Sequence, residues 1–376
     1  MSIINFRLRS DIKIGCGLLR DINEHISDFE TLRPLIICDN NIVGSDYFNI
    51  IKPELDKILS NGVFYQLELN GEPSYELLSK IISEVNIYDI DSVISIGGGS
   101  TMDVGKGIAL LSTNKTNPKK LKGFPTGLNN PLKHITIPSV IGSGAEASYN
   151  AVFVDEAEGK KLGINSINNF PSLVLVDPEL SMSAPTSSVI SSALDSLVHC
   201  VDSFGSKKSS SLSRMFSIEG FRNAWKFLTS GKINNSDARI ELALASINGI
   251  YGLMNSGDGP TNGFAYYFGV KDKIPHGYAG GMFLKDVMRW NYDNGFHNYE
   301  KLIENTPTAD MNMFFNQYSQ ILHEYSVPTL KDLGHNQDEC IGLIDEISSA
   351  LGGSFAGNPI RFDKYSAEWV LNQQFN

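Results

Sequence analysis

Ser92-Val93-Ile94-Ser95-Ile96-Gly97-Gly98-Gly99-Ser100-Thr101-Met102-Asp103-Val104-Gly105-Lys106 is the stretch whose reading decides the fold. It begins as a short apolar, β-branched run, the pattern of a strand buried on both faces of a parallel sheet. After Lys106, Gly107-Ile108-Ala109-Leu110-Leu111 reads as helix. A strand, three glycines, a serine and a helix start make an anion site. The glycines let backbone N–H groups approach a phosphate, and the helix N-terminus adds partial positive charge. Gly97, Gly98, Gly99 and Ser100 are therefore candidate contacts to a phosphate-bearing ligand.

Working outward, the same texture repeats on both sides. Leu35–Asp39, Val63–Leu69, Ile135–Pro138 and Leu173–Asp177 read as further strands, and Tyr75–Val85 reads as a helix between them. Strands alternating with helices predict a parallel sheet covered on both faces, with ligands at the carboxyl ends of the strands. A second glycine turn, Ser139-Val140-Ile141-Gly142-Ser143-Gly144, again follows a strand. Ser139 and Ser143 offer hydroxyls where an elongated ligand such as a dinucleotide can press on the backbone. Asp39 ends an early strand, where an acid takes ribose hydroxyls and repels a 2′-phosphate, so NAD is preferred over NADP. The alternative for Asp39 is a turn cap in Asp39-Asn40-Asn41.

Past Pro185 the strand signals fade. Stretches 191–204, 213–228, 237–253, 311–325 and 337–351 have helical spacing. The expected organisation is an α/β Rossmann-like dinucleotide-binding domain over 1–180, then an all-α domain over 181–376. In the second, Asp195 and His199 are spaced i, i+4 on one helix face, and together they can chelate a divalent metal. A capped aspartate and a core histidine would look the same. His276 in Ile274-Pro275-His276-Gly277-Tyr278 is a third candidate, held rigidly by a proline among small neighbours.

The bulk composition removes other function classes. A chain of 376 residues with a formal charge of −11 lacks the positive face that nucleic acids require. Lys115, Lys119, Lys120 and Lys122 form a local basic cluster, read as a solvated loop. No apolar run reaches membrane-spanning length, and the N-terminus lacks the pattern of a secretory signal. The 4 cysteines are scattered with no Cys-x-x-Cys pair, which fits a reducing cytoplasm rather than a disulfide framework. Cys200 reads as a small core residue.

Taken together, these segments resemble the iron-containing, or group III, alcohol dehydrogenase family. The matching pieces are Gly97–Lys106, Ile137–Ser148, Lys161, Asp177-Pro178-Glu179-Leu180, Asp195 with His199, and Pro275-His276-Gly277, in the family's order over roughly residues 10–290. The resemblance implies the dehydroquinate synthase-like architecture: a Rossmann-like domain, a helical domain and an active cleft between them. It implies NAD(P) on the glycine turns, with Lys161 at the cofactor ribose; the alternative is a surface lysine. It places Asp103 on the cofactor side, the alternative being a surface ion pair with Lys106. It implies a divalent metal (Fe, Zn or Mn) held by an Asp and three His, which polarises the substrate oxygen so that hydride can leave for the nicotinamide. It also implies a homodimer.

Within the family, Glu72-Pro73-Ser74, Ala145–Ser148, Lys161–Ser166 and His199–Ser203 are similar to the 3-deoxy-D-manno-octulosonate 8-oxidase branch. That branch oxidises a terminal hydroxyl of a sugar acid on the way to surface lipopolysaccharide. The expected small-molecule substrate is therefore a sugar or sugar acid. One departure matters. The family's third histidine ligand falls on Asn262, and a further family histidine beside substrate and nicotinamide falls on Tyr266. Either Asn262 or water completes a shell of Asp195, His199 and His276, or the metal is lost. In the second case the chain is a metal-free reductase or a non-catalytic nucleotide-binding relative. A carbon–oxygen lyase of the same architecture is disfavoured by Asp195, where such enzymes tend to carry glutamate.

Overall fold

The computed structural model describes residues 4–376 apart from 30, 70, 86, 88, 159 and 305. It divides into two compact units, Leu8–Ala184 and Pro185–Asn376, the latter taking in the first residues up to Arg7.

In the first unit, apolar β-branched runs form a parallel sheet of six strands: β1 (Asp11–Ile14), β2 (Pro34–Asp39), β3 (Val63–Leu67), β4 (Ser92–Gly97), β5 (Lys133–Pro138) and, after an intervening hairpin, β8 (Leu173–Val176). Their spatial order is β1-β8-β5-β4-β2-β3. From β2 the chain moves outward to β3, then returns to the other side of β2 as β4. This is a topological switch point, and a crevice opens there at the carboxyl ends of the strands. Asp39 closes β2 and Gly97 closes β4, so both candidate cofactor residues stand at that switch.

Both faces of the sheet are covered, and alternate side chains of each strand feed opposite cores. Ile36, Ile94, Ile96 and Ile135 pack with Phe48, Ile51 and Leu55 of the helix Asp46–Ile58. Leu35, Ile37 and Val93 pack with Leu78, Ile81, Val104 and Ile108 on the other face. Asp177, fully buried after β8, ties this end of the sheet together. Its carboxylate accepts the backbone N–H groups of Gly17 (3.1 Å), Leu19 (3.0 Å) and Glu179 (3.0 Å) and the Tyr47 hydroxyl.

Three strands were not anticipated. The edge strand β1 is short and alternates charge with apolar residues. The antiparallel hairpin of β6 (Asn150–Asp155) and β7 (Lys160–Asn165) hides its period because an acid, Asp155, occupies an inward position. Asp155 explains a further correction. Lys119 and Lys122 are not simply solvated: both pair with Asp155, Lys119 at 3.1 Å.

The second unit is helical among its described residues: Thr186–Gly205, Ser211–Thr229, Ser236–Met254, Pro260–Asp272 and His276–Asp293 lead, and shorter helices follow. The stretch read as one helix over 337–351 is broken into Gln337–Gly342 and Ile344–Ala350, because Gly342 weakens its middle. Ser210 caps its helix with a reciprocal capping box to Ser213. No described helix is long and apolar enough to cross a membrane.

Candidate active site

The glycine turn is shaped by three different constraints. At Gly97 a Cβ would lie 2.3 Å from Thr101 Oγ1, and at Gly99 it would press on Ser143 Oγ and Ala145 Cβ, both at 3.3 Å. At Gly98 the nearest atom, Val140 Cγ2, is 4.0 Å away. Gly98 therefore borders open space at the N-terminus of the helix Gly99–Thr113, where no side chain caps the helix. Free volume, uncapped backbone N–H groups and the helix dipole coincide there, which is what an anion needs. The second glycine turn is fastened to the first: the Ser139 N–H donates to the Gly97 carbonyl at 2.8 Å. Ser143 is half-buried and accepts from the Ala145 N–H at 3.4 Å, while Gly144 takes the left-handed conformation (φ 73°).

Other candidate cofactor residues are placed less directly. Asp39 Oδ1 accepts from the backbone N–H (2.9 Å) and side-chain amide (3.0 Å) of Asn41, so the turn cap forms. Asp103 and Lys106 are not a surface pair. Lys106 is fully buried, and its ammonium donates to Asp103 Oδ1 (3.2 Å), Ser148 Oγ (3.0 Å) and the Asn150 carbonyl (2.7 Å). Burial pushes the Asp103 carboxyl up, with Lys106 pulling the other way, and burial lowers the Lys106 ammonium. Asp103 and Lys106 thus help fasten the helix Gly99–Thr113 to the chain at Ser148 and Asn150. Lys161, on β7, pairs with Glu72 at 2.8 Å.

In the helical unit, four side-chain donors from three helices converge. Asp195 Oδ1 lies 3.5 Å from His199 Nε2 and 3.7 Å from His276 Nε2, and His276 Nε2 lies 3.0 Å from Asn262 Oδ1. Asp195, His199 and Asn262 are about nineteen-twentieths buried. Donors at the corners of a tetrahedron with metal bonds of about 2.1 Å are separated by about 3.4 Å. The observed spacings bracket that value. Among the described residues no three His, Cys, Asp or Glu side chains form a metal-holding group; Asn262 adds a fourth donor here, and the carboxylate–imidazole edges are the looser ones. His199 Nδ1 is buried without a hydrogen-bond partner. In kind and spacing the four donors, two imidazoles, one carboxylate and one amide oxygen, suit a divalent ion.

Close helix packing makes this convergence possible. A Cβ on Gly277 would lie 1.7 Å from the Ser191 carbonyl oxygen, and those on Gly280 and Gly281 would meet Val198 and Leu194, each at 3.0 Å. Glycines on this face let the helix His276–Asp293 lie against Thr186–Gly205, so that His276 reaches Asp195. Lys273, in the left-handed region (φ 54°), turns the chain from Pro260–Asp272 into Pro275, and His276 opens the next helix. The Tyr266 ring packs on the His276 imidazole with centroids 4.7 Å apart. Tyr267 leaves the site, its hydroxyl donating to Glu346 at 2.8 Å. Cys200 is fully buried against Gly220 and Gly249, and burial pushes its thiol up, so it is a core residue.

Sequence reading passed over Asp202. It follows Asp195 at i+7 and His199 at i+3, on the same helix face, and its Oδ2 accepts from the backbone N–H groups of Gly259 (3.2 Å) and Asn262 (2.8 Å). Burial pushes its carboxyl up to about 7, against the pull of those N–H groups. The available signal was a second acid in phase with Asp195 and His199 on a helix that carries no other charged residue.

Comparison with known proteins gives one consistent result. The profile of the iron-containing alcohol dehydrogenases matches residues 10–178, and that of the Fe-containing alcohol dehydrogenase C-terminal domain matches 189–361. The chain is 26% identical to alcohol dehydrogenase 4 of Schizosaccharomyces pombe over 374 residues, covering 96% of this chain and 86% of that one. It is 24% identical to 4-hydroxybutyrate dehydrogenase of Clostridium kluyveri, covering 86% and 89%. In fold it is similar to the sulfoacetaldehyde reductase of Bifidobacterium kashiwanohense, solved in complex with NAD+, with a TM-score of 0.88 at 19% identity, over 100% of this chain and 99% of that one.

Proposed function

The chain belongs to the iron-containing alcohol dehydrogenase family, oxidoreductases acting on CH–OH groups, and from that premise we propose that it is an NAD-dependent, metal-assisted dehydrogenase of a small anionic alcohol. The observation that carries this is the convergence of Asp195, His199, His276 and Asn262. These four side chains would hold a divalent ion, Fe, Zn or Mn, and Asp195 supplies the one negative charge among them. The ion, when bound, acts as a Lewis acid on the substrate oxygen.

The remaining chemistry falls to the chain's own residues. Gly98, Gly99 and Ser100 receive the cofactor pyrophosphate, with Gly97, Ser139 and Ser143 shaping the turns around it. Asp39 and Lys161 take the ribose side; both already have a partner, so binding either displaces or shares it. Tyr266 braces the His276 ring and presents its edge to substrate. The balanced reaction converts R–CH2OH and NAD+ to R–CHO, NADH and a proton.

Two observations favour an anionic substrate. Two of the three related proteins named above are named for 4-hydroxybutyrate and sulfoacetaldehyde, each a small anion with a terminal hydroxyl or aldehyde. The segments similar to the octulosonate oxidase branch extend the class to sugar acids oxidised at a terminal hydroxyl. In that branch's Glu72-Pro73-Ser74 match, Glu72 pairs with Lys161 and Ser74 caps the helix Tyr75–Glu84. Cys38, Cys200 and Cys340 are buried as core thiols, which suits a reducing compartment such as the cytoplasm.

The test is elemental analysis of the purified protein, followed by NADH formation with 4-hydroxybutyrate, 3-deoxy-D-manno-octulosonate and the uncharged 1,3-propanediol. About one ion per chain, lost in Asp195→Ala, and turnover favouring the acids are the expected results. Cofactor binding without hydride transfer to or from any alcohol or aldehyde, after metal loading, would leave a non-catalytic relative.

A further inference from the structure

Asp202 lies one turn beyond His199 in the helix Thr186–Gly205, fully enclosed, yet it does not belong to the donor set. Its Oδ2 is spent on another helix. The helix Pro260–Asp272 begins at Gly259, which has no side chain to cap it, and Pro260 brings no N–H. Asp202 supplies the missing cap from across the interface: the N–H groups of Gly259 and Asn262 both point at its carboxylate. A negative charge at a helix N-terminus is favourable, and charge-assisted bonds to backbone N–H groups are short and directional. The fit is tight, because a Cβ at Gly259 would stand 2.8 Å from the Asp202 carboxyl carbon.

The residue whose N–H makes the shorter bond is Asn262, and its side-chain oxygen lies 3.0 Å from His276 Nε2. Backbone N–H and side-chain oxygen of one residue therefore connect Asp202 to the donor centre. We infer that Asp202 is a positioning residue. It locks the helix carrying Asn262 and Tyr266 onto the helix carrying Asp195 and His199, and so sets the distance at which Asn262 completes the metal shell. This rests on the metal-assisted reading above. It makes a particular claim about this chain: an amide, a poorer ligand than the family's imidazole, is made serviceable by being held in place at its own backbone.

The experiment measures Zn2+ and Mn2+ affinity of the purified chain by competition dialysis, so that the readout does not depend on turnover. Asp202→Ala removes the acceptor and should weaken binding by about 10–100-fold, the range typical of outer-shell partners. Asp202→Asn keeps an oxygen for the two N–H groups and should stay within about threefold, well inside that range. Gly259→Ala leaves Asp202 in place but pushes its carboxyl aside, and should weaken binding in the same direction; it serves if Asp202→Ala does not fold. In an Asn262→Ala background, Asp202→Ala should cost little more, because the effect runs through Asn262. Wild-type affinity in both Asp202→Ala and Gly259→Ala, or a loss that adds in full on top of Asn262→Ala, would overturn the assignment and leave the metal reading intact. A wild-type chain that binds neither ion would overturn the metal reading and remove this assignment with it.

Discussion

The glycine turns and the donor centre are built by opposite means. At the turns, backbone does the work, and what matters is the absence of atoms: Gly98 faces open space, with its nearest neighbour 4.0 Å away. At the donor centre, side chains do the work, and the backbone's task is to bring helices close enough, as at Gly277, where 1.7 Å separates a notional Cβ from a carbonyl oxygen. Both regions depend on glycine, but for different reasons. In one, the open space is the proposed anion site; in the other, it is a mating surface between helices. A methyl group added to the first should cost ligand affinity, and one added to the second should cost the fold.

Gly277→Ala is the largest expected effect. The clash is with backbone, which cannot swing aside, so the helix His276–Asp293 must separate from Thr186–Gly205. Destabilisation of about 3 kcal/mol or more is expected, at the top of the range for overpacking, together with loss of metal binding. Urea denaturation and dialysis measure the two. Unchanged stability would mean that the helices adjust without cost and that the comparison fails at its stronger end.

Gly98→Ala is the mirror case. Its φ of −77° suits any residue, so stability should change by less than about 0.5 kcal/mol. The new methyl occupies the space proposed for pyrophosphate, and NAD affinity should fall by about 10–100-fold, the equivalent of about 1.4–2.8 kcal/mol. Calorimetric titration with NAD+ reads this directly. A variant that loses stability but keeps its NAD affinity would put the anion elsewhere.

The same contrast explains what could be read from the sequence. The turns are contiguous: Ser92–Lys106 states strand, turn and helix in one string, and Asp39 and Gly97 each close a strand at the switch point. The donor centre is scattered over three helices. Asp195 and His199 were visible as an i, i+4 pair and His276 by its Pro-His-Gly setting, but their meeting depends on helix contacts that local spacing does not encode. Asn262 was found only by counting against a family pattern. Asp202 was missed because its role is to bond backbone N–H groups of a distant helix start, for which a sequence has no local marker. The alternative of a surface pair between Asp103 and Lys106 failed because a helix start shows which residues follow the glycines, but not that Lys106 is drawn inward.

Asn262→His tests whether the donor centre is limited by its ligand or by its position. An imidazole in place of the amide restores the family's set, and metal affinity should tighten by about 10–100-fold, the size of effect that tuning a metal shell commonly has. The larger ring must fit a site only 4% exposed, so a stability cost of about 1–2 kcal/mol is expected. Unchanged affinity would mean that the Asn262 oxygen is not the fourth corner and that water fills it instead.

The last effect appears only as pH falls and concerns the packing under the helix Gly99–Thr113 at Gly105. His134 is buried against Ser95, its Nε2 2.8 Å from Ser95 Oγ, and burial, aided by the charge of Lys106, lowers its pKa to about 3. An unfolded histidine titrates near 6.5. As pH falls below that value the unfolded chain takes a proton that the folded chain refuses, so this contribution to stability is present above about 6.5 and drains away toward 3. Between pH 7 and pH 5 the loss amounts to about 2 kcal/mol for this one group. Asp103, raised to about 6, works in the opposite sense: its folded form holds a proton that the unfolded chain has released, so it favours folding as pH falls through 6. Asp202 and Asp286, also raised by burial, act in the same sense as Asp103; the wild-type slope sums all of these groups, and His134→Gln, which keeps a polar atom for Ser95, isolates one of them. Urea midpoints at pH 5 and pH 7 should show the variant gaining about 2 kcal/mol on the wild type at the lower pH. Parallel behaviour of the two proteins would show that His134 is protonated within the fold, and that the helix Gly99–Thr113 rests on a charged imidazole rather than a neutral one.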